Sequence, residues 1–294
     1  MKLKTAYFQM HIAIFLWGFT GILGKLITLN EGLLVWYRLL ISGIMMWAVA
    51  GNRNEMFKLP LKETLKICGV GFIVMVHWVT FYGAIKVSSV SVTLICLSSI
   101  ALFTSFFEPL ITKTKFDFTE IFFAALCMAG IYTIYHADNS AATGILIALF
   151  SSMMSALFSV LNKQLTATYN AYTISSIELL GAFVTLSVLL PFYLGFFKYE
   201  FLLPGTSDTL YLLGLSFFCT VIPWILSLNA LNHVTAFTMN LALNLEPVYG
   251  ILLAIFVVKE YNLLTSGFYI GAFIILVTVM LHTFYRYRKS AAAA

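Results

Sequence analysis

An all-α integral membrane protein, with ten transmembrane helices arranged as two inverted five-helix repeats, is the fold class that this 294-residue sequence predicts. Three observations predict it. Hydrophobic residues make up 61% of the chain and charged residues only 10%, against about 25% charged in an ordinary globular domain; the mean hydropathy is +0.95. Apolar stretches long enough to cross a hydrocarbon core of roughly 30 Å recur along the whole length. The second half, finally, repeats the order of the first at a near-constant offset.

Ten spans follow from the apolar stretches: 7–28, 33–50, 65–85, 88–111, 119–136, 143–162, 172–194, 209–229, 234–257 and 263–284. Lipid offers no partner for backbone N–H and C=O groups, and the stretches are too long and too continuously apolar for barrel strands, so each is expected to be a helix. The first follows Met1-Lys2-Leu3-Lys4 with no A-x-A-like cleavage site after it, and reads as a membrane helix rather than a secretory signal. Within it Gly18, Gly21 and Gly24 recur every third residue, spacing that permits close helix contact. Trp36 and Tyr37 open the second span, and Tyr285 and Tyr287 follow the tenth, as aromatic residues at a membrane interface do. Cys68, Cys96, Cys127 and Cys219 all lie inside spans with no C-x-x-C spacing; they read as small packing residues, with neither a metal site nor a disulfide framework. Ala291 to Ala294 read as an artificial tail.

Charge sets the expected orientation. With the N-terminus inside, Lys2, Lys4, Arg53, Lys58, Lys62, Lys66, Lys113, Lys115, Lys163, Arg286, Arg288 and Lys289 fall on the inner side, while Lys25, Arg38, Lys86, Lys198 and Lys259 lie at or toward the outer side. That bias predicts both termini in the cytoplasm, as an even helix count requires. The formal net charge of +5 follows from it and gives no reason to invoke nucleic acid.

"VMVHWVTFYGAIKVSS", from Val74, lies against "TVIPWILSLNALNHVT", from Thr220, at an offset of 146 that pairs Trp78 with Trp224 and Ala84 with Ala230. The offset continues without a gap, pairing Ser98 with Asn244, Lys113 with Lys259 and Thr119 with Thr265. Earlier in each half, "GFTGILGK" resembles "ALFSVLNK" at an offset of 138. Five helices is an odd number, so the second copy must enter the membrane from the opposite side. Residues 1–136 form the first repeat, 137–142 an outward-facing polar linker, and 143–290 the second, inverted repeat.

Polar residues inside the spans are the candidate functional residues. Asn240 and Asn244 are four apart and share a helix face; they either glue helices together or, with Ser98, line a polar cavity at mid-membrane. Pro247 removes a backbone donor and leaves the Leu243 carbonyl without its helical partner, and Pro223 does the same in the eighth span, so both are candidate hinges. A centred charge costs about 2.5–3.5 kcal/mol on insertion scales, which makes intramembrane ionisable groups functional candidates by default. His77 leads them, beside Trp78 and followed by Thr80 and Phe81; packing, solute contact and proton sensing are all open to it. Arg38 and Glu178 occupy corresponding places in "RLLISG" and "ELLGAF" and read as structural anchors. Glu246 needs a cation or several donors as a carboxylate, and stands with His77 as a candidate coupling group. Trp17, Trp78 and Trp224 sit deep enough to wall a cavity for a flat or apolar solute.

"FLWGFTGILGK", "YGAIKVSSVSVT" and "NALNHVTAFTMNLALNLEPVYGILLAIFVVKE", in this ten-span arrangement, resemble the EamA-like branch of the drug/metabolite transporter superfamily over residues 7–284. The most specific element is "NLEPV", Asn244 to Val248. Lys259-Glu260 stands where Gly-Glu is common in that family, and Ile100-Ala101 where a proline is often found. Glu108-Pro109 mimics the Glu-Pro pair, but the offset of 146 aligns it with Ala254-Ile255, so no family role is carried onto it. The resemblance implies a secondary transporter that moves a small metabolite, an amino acid or related amphipathic solute, outward across the cytoplasmic membrane by alternating access, working without a cofactor and as a monomer among lipids. Import or exchange of phosphorylated or nucleotide-linked solutes is the first alternative and should demand two or more convergent buried cations. A sensor or a lipid-modifying enzyme is more remote: no nucleotide, hydrolase or metalloprotease motif is present.

Overall fold

A helix rises about 1.5 Å per residue, so segments of twenty or more residues match the membrane core in length. The computed structural model describes residues 3–49, 58–137, 141–243, 245–262 and 264–293, with the side chains of 241, 279, 283 and 286–293 outside the description. Ten long helices appear among them: α1 Leu3–Leu26, α2 Glu31–Val49, α3 Leu61–Val87, α4 Val90–Thr112, α5 Phe118–Ala137, α6 Ala142–Leu165, α7 Ala171–Phe197, α8 Thr206–Leu231, α9 Ala236–Val257 and α10 Ser266–Ala293. Most run slightly past the expected spans because polar end turns belong to the helix but not to its apolar stretch: α3 begins with Leu61, Lys62 and Glu63, before the expected start at 65. The expected linker, 137–142, falls largely on residues 138–140, outside the described residues.

Four helices are interrupted. α1 breaks at Gly18 and Phe19, α8 widens into a π-turn at Phe217–Val221, α4 breaks at Ser98 and Ser99, and α9 breaks between Ala242 and Leu245. The last two are equivalent under the offset of 146, which carries Val90 to Ala236 and Ile100 to Glu246. It also carries Lys113 to Lys259, and both hold left-handed backbone, φ 57° and 55°, where their helices stop. An L-residue enters that region at a cost and does so mainly at helix C-termini. Two lysines in the same uncommon conformation at matched positions carry the repeat from sequence into geometry.

Packing follows the same exchange. α3 packs on α6 as α8 packs on α1, and α3 on α7 as α8 on α2, while α2–α7, α4–α9 and α5–α10 pair with their own mates. A two-fold axis swapping the halves produces this set of neighbours. The α5–α10 seam is closed by reciprocal glycines: a Cβ on Gly130 would stand 2.8 Å from the Gly271 carbonyl oxygen, and one on Gly271 2.5 Å from that of Gly130. No larger residue fits there without parting the helices. With five crossings in each half, the second runs opposite to the first.

The start of α1 and the end of α10 lie at one end of the bundle, called the termini end. The opposite end is clasped by side chains. Asp208 accepts from the Thr28 backbone N–H and hydroxyl at 2.9 and 2.6 Å, Tyr193 donates to Glu31, and Lys86 donates to the Ile27 carbonyl. Glu260 caps α4 by accepting from the N–H groups of Val90 and Ser91 at 2.8 and 2.9 Å and from the Ser91 hydroxyl at 2.7 Å. The termini end mirrors this in part: Glu108, near the end of α4, caps α9 by accepting from the Phe237 N–H at 3.0 Å. Each of the two broken helices thus has its first turn capped by a carboxylate lying at or beyond the other's far end, which suits the positive end of a helix dipole.

Candidate functional site

The polar centre of the bundle is organised by Arg38 on α2, which is 1% exposed. Its Nε donates to Thr220 Oγ1 at 2.8 Å, Nη1 to the Tyr82 hydroxyl at 2.8 Å, and Nη2 to the Cys219 carbonyl at 3.1 Å. Local sequence makes the last acceptor available. Pro223 lacks the N–H that would claim the carbonyl four residues earlier, that of Cys219, and the chain answers with the π-turn. The guanidinium carbon lies 3.8 Å from the centre of the Trp78 ring, a cation–π contact. Among the described residues no carboxylate reaches ion-pairing distance of Arg38. A guanidinium has five N–H donors; three are used among the described residues, which leaves two for a solute or water.

A fully buried acid stands opposite. Glu178 on α7 accepts from Trp224 Nε1 at 3.0 Å, and the Asn162 side chain lies close to the carboxyl group as well. Trp224 is the hub of an aromatic wall, with ring centres 5.6 Å from Trp78, 5.7 Å from Phe158 and 6.4 Å from Trp17.

Arg38 and these four rings border a chamber with about 750 Å³ of space not filled by atoms, part of it open to solvent. His77 faces it from α3. Its Nδ1 lies 2.9 Å from the Ser151 carbonyl, which can only accept, so Nδ1 carries the hydrogen and a neutral ring keeps Nε2 as an acceptor. Ser151 returns a bond from its hydroxyl to the His77 carbonyl at 2.9 Å. Glu246 faces the chamber from the first turn after the α9 break, near enough to feel the Arg38 charge. Asn240 lines the chamber and also bridges helices: its Oδ1 accepts from Ser159 at 3.0 Å and its Nδ2 donates to Thr104 at 2.8 Å. The lining runs from mid-bundle toward the termini end, reaching Asn162 and Leu231 in the last turns of α6 and α8, and includes none of the clasp residues at the opposite end.

A family model described as the EamA-like transporter family matches residues 4–136 and again 142–284. The chain belongs to the EamA-like transporter family. A solved structure titled only as the crystal structure of a protein matches with a TM-score of 0.69 at 15% identity, covering 97% of this chain and 98% of that one. It shares the fold. No curated protein matches the sequence. Family membership makes this chain a multi-pass membrane transporter of small solutes.

Within this EamA-like transporter, Trp17, His77, Trp78, Phe81, Trp224, Asn240 and Glu246 all line the chamber. Thr80 does not: its hydroxyl donates to the Val76 and His77 carbonyls of its own helix. Ser98 lines a separate, smaller cavity on the other side of α4. Asn244 lies outside the described residues. Pro247 sits two residues past the α9 restart, and the Leu243 carbonyl that it was expected to strand accepts from the Glu246 N–H at 2.8 Å. Sequence reasoning read Arg38 and Glu178 as anchors, of which Arg38 lines the chamber and Glu178 does not, and it did not reach Thr20, Ser155, Asn162 or Phe158. For the first two the signal was present, a charge in the body of an apolar span. For the others nothing marks them before the helices are packed.

Proposed function

We propose that this protein exports amino acids, or closely related zwitterionic solutes with apolar or aromatic side chains, across the cytoplasmic membrane by alternating access. One observation carries the reading: a buried guanidinium and a carboxyl group, Arg38 and Glu246, face the same aromatic-walled chamber. The two unused N–H groups of Arg38 suit a solute carboxylate held bidentately. Glu246 and His77 Nε2 offer acceptors for its ammonium group, and Trp17, Phe81, Phe158 and Trp224 supply an apolar surface for the side chain. A phosphorylated solute would want two or more convergent cations; among the described lining residues Arg38 is the one cation. The bias of basic residues toward the termini end supports its being cytoplasmic. On that orientation the chamber reaches toward the cytoplasm while the clasps close the outer end, a state that loads solute from inside. The breaks in α4 and α9 would then be the joints about which each half swings.

Counterflow in proteoliposomes tests this. Vesicles preloaded with unlabelled phenylalanine or leucine should trap the labelled amino acid transiently, and sugar phosphates should not compete. Exchange of sugar phosphates or nucleosides with no exchange of any amino acid would replace the solute class proposed here.

A further inference from the structure

A second cavity lies apart from the chamber, between α4, α5, α9 and α10, with about 300 Å³ of unfilled space, part of it open to solvent. An acid and an imidazole line it beside the thiol of Cys127: Glu120 from the first turn of α5 and His282 from α10, at 9% and 4% exposure. Neither faces the solute chamber. The His282 ring lies between Phe123, 4.7 Å away between ring centres, and Phe237, 5.3 Å away and edge-on. Phe237 belongs to the first turn of α9, and its N–H is the group that Glu108 of α4 caps. Ser98, at the α4 break, lines the same cavity, and its buried hydroxyl oxygen has no partner among the described residues. The cavity therefore touches the break of one interrupted helix, the capped start of the other, and the α5–α10 seam.

We propose that Glu120 and His282 form a proton-binding site, separate from the solute chamber, whose loading and unloading drives the swing of α4 and α9. The inference rests on the transport reading above. Both side chains are buried in a seam whose other lining residues are mainly apolar, close enough to the termini end for an acid and an imidazole to gain and lose protons. Glu120 lies close to the termini end, where protons exchange with water, and a charge gained or lost on His282 falls against the Phe237 ring, in the α9 turn whose N–H Glu108 caps. The other titratable groups around the site are Glu108 from α4, with Lys163 of α6 near enough to feel its charge, Asp117 and Cys127 from the start and body of α5, and Tyr285 from α10; α9 brings the uncharged Phe237. The stoichiometry is one proton moved against one solute, with no covalent change in either.

The test separates carriage from coupling. In proteoliposomes with the membrane potential held at zero by valinomycin and equal potassium, counterflow at equal pH reads carriage alone. An acidic lumen should then draw labelled phenylalanine inward, about tenfold over the outside for one pH unit if one proton leaves per solute. Glu120→Gln and His282→Gln should each keep counterflow within about twofold and lose the accumulation. If the unaltered protein shows no counterflow, the transport reading falls and this inference with it. Counterflow without accumulation in the unaltered protein, or full accumulation in both variants, overturns the proton site and leaves carriage standing. Should either variant fail to fold, proton-titration infrared spectra of the unaltered protein decide: a carboxyl band that titrates in step with gradient-driven uptake supports the site, and its absence removes it.

Discussion

Arg38 with Trp78, and Glu178 with Trp224, occupy matched places in the two halves, yet they use the same aromatic ring in opposite ways. The offset of 146 carries Trp78 to Trp224, and Arg38 and Glu178 hold corresponding positions in the helix before each tryptophan. In the first half a cation lies over the ring face, 3.8 Å from its centre; in the second a carboxyl group accepts from the ring N–H at 3.0 Å. An indole is electron-rich on its face and positive at its N–H edge, so one ancestral contact accommodates either sign of charge with a change of ring aspect. The halves also differ in what remains unfilled. Arg38 lines the chamber and keeps two N–H groups in hand, whereas Glu178 sits behind Trp224 and does not line it. On the function proposed above, the first-half member is the ligand and the second-half member its support.

Removing the ligand should have the largest effect. Arg38→Leu should lower amino-acid counterflow by about 100-fold or more, since two hydrogen bonds to a charged group are worth roughly 1.5–3 kcal/mol each. Arg38→Lys should recover little, because an ammonium cannot reproduce the fork that reaches Thr220, Tyr82 and Cys219 together with a carboxylate. Flux near the unaltered level in Arg38→Lys would show that charge alone matters and that the fork is incidental.

Removing the support should cost stability before transport. Glu178→Leu leaves the Trp224 N–H without an acceptor in the bundle and should destabilise the detergent-solubilised protein by about 1–3 kcal/mol, while Glu178→Gln keeps an acceptor and should cost less. Paired with Trp224→Phe, which has no N–H to strand, Glu178→Leu should cost less than the two single changes added together. Strict additivity, measured by denaturant or thermal unfolding, would break the proposed pairing. A collapse of counterflow in well-folded Glu178→Gln would move Glu178 from support to ligand.

How much of this was legible in the sequence differs between backbone and site. The ten helices followed from runs of apolar residues, because lipid leaves the backbone a single economical conformation. The offset that pairs Ser98 with Asn244 and Lys113 with Lys259 was legible, but the interruption of α4 and the left-handed backbone of the two lysines were not: 88–111 read as one continuous span, and a hinge was expected in α9 only at Pro247. Which way each residue faces was not legible. Ser98 aligned with a chamber candidate but turned toward the second cavity, because a helix interrupted at that residue has no continuous face from which to extrapolate. Arg38 was visible as an intramembrane charge, but its partners stand 44, 181 and 182 positions away on two other helices, and without them it reads as an anchor. His77 and Glu246 were legible for the opposite reason: they are ionisable residues whose place in the middle of an apolar span already implies a polar space nearby.

The smallest expected effect sharpens the comparison most, because only one half has its acceptor made by a proline. Trp78 of α3 has His77 before it where Trp224 of α8 has Pro223. Pro223→Ala returns an N–H to α8, and that N–H would compete for the Cys219 carbonyl that Arg38 now uses at 3.1 Å. Two consequences oppose each other. The helix gains regularity, since proline in a helix interior costs up to about 3 kcal/mol, while Arg38 loses one of three acceptors that fix its plane. The variant should therefore unfold later than the parent, yet show counterflow lower by a few-fold, through a weaker apparent affinity for solute more than a lower maximal rate. Stability and flux rising together would mean that the carbonyl left open by Pro223 is a defect the protein tolerates. Stability rising while affinity falls would mean that the irregular turn in α8 is kept because it holds the guanidinium flat against Trp78.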